Sequence, residues 1–229
     1  ESYDFDPQLP ADANWIFYVW VDGLGDYDCL GVGGNGTGAN VYAQDVIFIG
    51  GAQGMRFDYD NDGMVENPCT GTQEPRTYVY SMAEAQIAKL PSGLTSDWTA
   101  SGIKALQIPF FGDTLNDIES MWVEVKDGSG GSGMVTYGTY ASEDPAHITE
   151  AAWHQWNIDL ADFAGQGVDL SDVKSIAIGF GTPGNKTNPG GSGIVYFDDI
   201  RLYASRCVLD RRSPAFAEVD YVADCIVDY

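Results

Sequence analysis

Three segments carry side chains with evident chemical potential: Met55-Arg-Phe-Asp-Tyr-Asp60, Met121-Trp-Val-Glu-Val-Lys126 and Trp153-His-Gln-Trp-Asn-Ile-Asp-Leu160. Each alternates apolar with polar or aromatic residues, the period-2 signature of a strand with one buried face. Opposite the apolar sets stand Arg56 and Asp58, Trp122 and Glu124, and Trp153 and Gln155. Gln107 has the same parity within Lys104–Phe111, and Tyr78 and Tyr80 are candidates whose parity is ambiguous. An aromatic ring can lie against the C–H face of a hydroxyl-rich ligand while carboxylates, amides and a guanidinium pair with its hydroxyls. If these strands are neighbours, Arg56, Asp58, Tyr78, Tyr80, Gln107, Trp122, Glu124, Trp153 and Gln155 make one binding face. The competing expectation is that several of them pack under loops as a second small core. Trp15, Tyr18, Trp20 and Tyr27 form another aromatic group, for which loop packing is preferred.

Residues for bond-breaking are harder to find. His147 and His154 have no nucleophile elbow or reactive-cysteine context around them, and no phosphate-binding glycine loop with its lysine occurs. Carboxylates such as Asp58, Asp60 and Glu124 could in principle supply an acid–base pair for glycoside hydrolysis. Against 34 Asp+Glu, however, the presence of two carboxylates distinguishes nothing. The expectation is a protein that binds and does not catalyse. A formal charge of −23 repels nucleic-acid phosphates and anionic membrane surfaces. No apolar run approaches the ~18 residues of a membrane-spanning helix. Glu1 opens the chain as a processed or trimmed product would.

Cys29, Cys69, Cys207 and Cys225 contain no Cys-x-x-Cys pair, and two histidines offer few zinc ligands. Disulfides in an oxidising compartment are therefore preferred over reduced, buried thiols. The pairing 29–69 with 207–225 keeps one bridge in the N-terminal loops and one in the C-terminal tail.

The elements that must position these residues read as β throughout. The 28 glycines punctuate nine or ten short strands, and no βαβ alternation is visible, so the fold class is a mostly antiparallel β-sandwich. Val173–Phe180 and Ile194–Tyr203 complete the sheets. The second follows a glycine turn and reads as a central strand, in which Asp198 and Asp199 must be hydrated, hydrogen-bonded or metal-bound. Residues 1–44 alternate aromatic segments with long glycine loops, Thr77–Tyr80 reads as extended, and Met82–Leu90 has modestly helical composition.

Trp153-x-x-Trp-x-Ile-Asp-Leu160, the Gly-Val-Asp-Leu170 turn, Ile176-Ala-Ile-Gly-Phe-Gly181 and Phe197-Asp-Asp-Ile-Arg-Leu-Tyr203 resemble the second half of jelly-roll carbohydrate-binding modules. Glu1 and Gly50–Met55 resemble their first half. Such modules occur in secreted bacterial polysaccharide-degrading systems, and this variant is similar to those of planctomycete-like bacteria. The resemblance covers residues 1–204 and implies a jelly roll, a secreted or cell-surface location and a polysaccharide ligand. It also implies a structural calcium held by Glu1, carbonyls near Gly51 and Gln53, and Asp199, a donor mixture that suits calcium; capping of backbone amides without metal is the other expectation for Asp198 and Asp199. Residues 205–229 resemble the opening of a dockerin-type calcium loop, with Asp220, Asp224 and Asp228 in step. That tail departs from the pattern at Val222 and lacks a closing carboxylate, so an extended, disulfide-tethered tail is preferred. A second functional expectation is a surface-assembly or filament protein, in which the apolar tail adds a strand to a neighbouring subunit.

Overall fold

The computed structural model describes residues 16–23, 34–66, 71–90 and 95–206. Cys29, Cys69, Cys207, Cys225, Glu1, Trp15, Tyr27 and the tail beyond residue 206 lie outside the described residues. The disulfides, the tail contacts and part of the calcium set are therefore left as expectations.

A turn of helix, α1 (Ile16–Val19), leads into β1 (Trp20–Val21), and the next strand is β2 (Ala39–Gln44). Then come β3 (Gly54–Asp60), a small ribbon of β4 (Met64–Glu66) and β5 (Gln73–Pro75), and β6 (Ser81–Gln86). β7 (Ala105–Phe111), β8 (Met121–Asp127), β9 (Ser132–Thr136) and β10 (Trp153–Asp159) follow, the last continuing into α2 (Leu160–Ala164). β11 (Val173–Phe180), β12 (Ser192–Phe197) and β13 (Arg201–Tyr203) close the described chain.

Two antiparallel sheets face each other in a jelly-roll β-sandwich. The first has the order β1-β6-β11-β8-β9; the second runs β10-β7-β12-β3-β2, with β13 also paired to β7. The core lies between them, because alternate residues of each strand point inward. Met55, Phe57 and Tyr59 of β3 meet Val195 and Phe197 of β12 and Ile176, Ile178 and Phe180 of β11. Tyr59 and Phe180 stack across the gap at 4.5 Å.

β12 occupies the central position expected of it, between β7 and β3. Other expectations need correction. Met82–Leu90 is helical only at its end: Ser81–Gln86 is a strand with alternate residues buried, followed by a single 3-10 turn at Ile87–Lys89. Ala83 and Ala85 are fully buried between the sheets. Thr77–Tyr80 is irregular and not a strand. β2 was masked in the sequence by the glycines before it, and α2 by its brevity.

The β8–β9 connection depends on Asp127. Its Oδ2 accepts the Asp169 amide at 2.8 Å, and its Oδ1 accepts Ser129 and Gly131 amides, each at 2.8 Å. The Asp169 amide and the Ser129 hydroxyl, with those other amides, hold the carboxyl down to about 2. A depressed folded-state value stabilises above the unfolded value near 3.9 and fades as pH falls through the folded one. Asp127→Ala is thus expected to lower the melting temperature at pH 7 and to flatten its decline between pH of about 4 and about 2. A variant whose melting curves track the parent's across that window would rule the hairpin anchor out.

Candidate binding face

The candidate residues divide between two surfaces. Arg56, Asp58, Gln107, Trp153 and Gln155 lie on the outer face of the six-stranded sheet, whereas Trp122, Glu124, Tyr78 and Tyr80 belong to the outer side of the five-stranded sheet. One shared face is therefore corrected to two. Parity placed each residue outside the core but could not say which sheet its strand would join.

On the six-stranded sheet, register aligns residues into a row perpendicular to the strands. Trp153 of β10 is opposite Phe111 of β7; Phe111 is opposite Tyr196 of β12; Tyr196 is opposite Arg56 of β3; and Arg56 is opposite Tyr42 of β2. All five are partly exposed. The row crosses five strands and spans roughly 19 Å at the usual strand spacing. Phe111 packs against Trp153 (centroids 5.6 Å apart, 66°) and Tyr196 (6.3 Å, 71°), so successive rings buttress one another edge to face. Arg56 lies 5.7 Å from the Tyr42 ring centroid.

Polar groups flank the row on both sides. Arg56 makes a bidentate pair with Asp58, Nε–Oδ1 at 2.6 Å and the second contact at 2.8 Å. Burial pushes the Asp58 carboxyl up, and Arg56 offsets this only in part; Arg56 is held further up by its hydrogen bond to Asp58. The pair fixes a donor–acceptor fork beside the rings. On the other side stand Gln155, opposite Pro109, and Gln107, between Asn157 and Arg201. Tyr42, Phe111 and Tyr196 escaped sequence reasoning. Tyr196 alternates with buried Val195 and Phe197, whereas Phe111 follows three buried residues, so apolar neighbours hide both positions. Tyr42 sits on the unrecognised β2.

The other surface is built for packing. Trp122 is 1 % exposed, its indole laid on Gly179, where a Cβ would come within 2.2 Å of the ring. Its Nε1 donates to the Gly181 carbonyl at 2.8 Å. Tyr80 covers it, and Tyr78, Met82 and Met134 pack around the pair. Trp122 and Tyr80 are therefore corrected from ligand platform to a second small core, because a ring with no exposed face cannot stack on a sugar. Glu124 and Glu84 flank Lys126 at 3.2 and 3.4 Å. Burial alone would lower the Lys126 ammonium; the two carboxylates outweigh it and hold the group up.

At the end of β12 the Asp198–Asp199 pair meets the turn before β3. Asp198 Oδ2 accepts the amides of Ile49 (2.6 Å) and Gly50 (3.0 Å), and its Oδ1 accepts that of Asp199 (2.8 Å). Asp199, in the left-handed region at φ 48°, turns its Oδ2 against Gly50, within 3.3 Å of where a Cβ would stand. Its Oδ1 accepts from Arg201 at 2.9 Å. Gly51 and Gln53 follow on the same exposed turn. Of the residues expected to hold calcium, Asp199 packs on the turn that carries Gly51 and Gln53, and Glu1 lies outside the described residues. Among the described helices none is long and apolar enough to cross a membrane.

No family model and no curated protein matches the sequence. Among solved structures, the chain is similar to a family 11 carbohydrate-binding module from Clostridium thermocellum in complex with a β-1,3-1,4-mixed-linked tetrasaccharide: TM-score 0.42, 17% identity, covering 73% of this chain and 84% of that one. It is also similar to the family 30 carbohydrate-binding module of a cellulosomal cellulase of Clostridium thermocellum, with TM-score 0.47, 13% identity and coverage of 82% and 92%. A third is an exo-β-agarase, TM-score 0.48 at 11% identity, where 74% of this chain matches 22% of that one. At these identities it is the residues of the face, and not the likeness, that bear on what the chain binds.

Proposed function

We propose that this chain is a non-catalytic polysaccharide-binding module of a secreted or cell-surface protein, stabilised by calcium. The observation that supports this most is the transverse row Trp153, Phe111, Tyr196, Arg56 and Tyr42. A row across the strands offers ring surface at successive steps along a chain of sugars, and Asp58, Gln155 and Gln107 stand beside it to pair with hydroxyls. The excess of carboxylates, with a net charge of −23, favours neutral glycans over uronic or sulfated ones. Calcium held by Asp199, carbonyls near Gly51 and Gln53, and Glu1 would fasten the end of β12 to the turn before β3.

The test is a panel of neutral and anionic polysaccharides in affinity electrophoresis, with thermal melting in calcium and in chelator. Retardation by a neutral glycan, together with a melting temperature lowered by chelator, is the expected result. Absence of retardation by every glycan rejects the binding reading, and melting indifferent to chelator rejects the calcium.

A further inference from the structure

A cluster on the opposite side of β10 has the composition of a transition-metal site. His147, Glu150 and His154 each offer one ligand atom, and these atoms lie within 4.8 Å of one another. They follow the spacing His-x2-Glu-x3-His, from the 3-10 turn Pro145–Thr149 into β10. The imidazoles stack at 4.1 Å, inclined by 12°, and His154 Nε2 is 3.3 Å from the Glu150 carboxylate.

The surroundings hold the ligands in place. Tyr137, 4 % exposed, shares a hydrogen bond with His147 Nδ1 at 2.7 Å. With Nδ1 engaged, His147 presents Nε2 to an ion, the arrangement in which an outer-shell partner orients a ligating imidazole. His154 is 8 % exposed and stacks on Phe110 at 5.4 Å. The turn between them is capped by Asp144, which accepts the Ala146 amide at 2.9 Å. Its Ile148 carbonyl accepts from the Asp113 amide (3.1 Å) and the Asn116 side chain (2.7 Å). Glu150, half-exposed, gives an ion a way in from solvent.

We infer that His147, Glu150 and His154 form a binding site for a divalent transition ion of the zinc type, with water in the fourth position. Two imidazoles and one carboxylate suit zinc, whereas calcium and magnesium prefer oxygen alone. Zn–N bonds near 2.0–2.1 Å put tetrahedral ligands about 3.3 Å apart, so binding turns the less buried His147 ring out of its near-parallel stack on His154 and draws in the exposed Glu150. The ion would pin the β9–β10 connection to β10 directly behind Trp153.

Equilibrium dialysis of the 229-residue chain against zinc chloride, in excess calcium chloride to occupy oxygen-only sites, tests this. A saturable site is expected whose affinity falls at least tenfold in Glu150→Gln and in His147→Asn, and roughly 10–100-fold in Tyr137→Phe, which keeps the ring and removes only the outer-shell hydroxyl. Glu150 is at the surface, so its variant decides the matter even if the histidine variant folds poorly. Zinc retained with undiminished affinity by Glu150→Gln, as thiolate binding by the cysteines would give, or no saturable binding at all, overturns the assignment.

Discussion

Replacing Tyr196 by alanine is expected to weaken binding of the best neutral glycan by roughly 30-fold, equivalent to about 2 kcal/mol. Tyr196 stands at the middle of the row, on a strand with hydrogen-bonded neighbours on both sides, Phe111 on β7 and Arg56 on β3. A ring at the centre of a contact is surrounded by others that keep water out, and truncating it costs more than truncating one at the rim. Its loss also leaves Phe111 without one of its two edge-to-face partners. Tyr42, at the end of the row, is expected to matter less, by a few-fold. Tyr196→Phe keeps the ring and should retain most of the affinity, which isolates stacking from hydroxyl pairing. Isothermal titration of the three variants checks the order. Equal affinity of Tyr196→Ala and the parent, with melting unchanged, would remove the row from the binding face.

Trp122→Ala is expected to do the reverse: to lower stability by about 3–5 kcal/mol while leaving glycan affinity within two-fold at temperatures where the variant is folded. The indole fills the space above Gly179 and beneath Tyr80, and its N–H is satisfied by the Gly181 carbonyl. Removing it opens a cavity and leaves that carbonyl without its indole donor, two costs that add. At about 2–4 °C per kcal/mol for a chain of this size, the melting temperature should fall by roughly 10 °C. Differential scanning calorimetry and titration on the same sample separate the two quantities. Unchanged melting with lost affinity would restore Trp122 to the ligand.

The contrast between these two residues shows how much the sequence discloses. Alternation told, for nearly every strand, which side chains avoid the core: Met121, Val123 and Val125 point in and Trp122 points out, as Trp156 points in and Trp153 out. Alternation is a local property, fixed by the pleat. Whether an outward tryptophan meets solvent or a second layer of side chains depends on what the loops bring over it. For Trp122 that is Tyr80, some forty residues earlier in the chain and on no strand at all. The row was less legible still, since its members lie on five strands and their alignment is a matter of register between distant segments. The Asp198–Asp199 pair was singled out because two carboxylates in an apolar strand demand partners, and the amides of Ile49 and Gly50 are partners of Asp198. Nothing local in the sequence linked His147 to Tyr137.

The row also has a screw sense. Neighbouring strands in a sheet are rotated by roughly 20–25° in a constant direction, so the four steps from Trp153 to Tyr42 turn the outward normal by roughly 90°. The rings therefore do not lie in one plane: they are arranged like treads on a short spiral stair. A stiff, flat ribbon of sugars can rest on two adjacent treads before it lifts away, whereas a polymer that coils with a matching pitch can follow them all. The handedness of the polypeptide, expressed through sheet twist, thus becomes a filter on the coiling of the polymer laid across it.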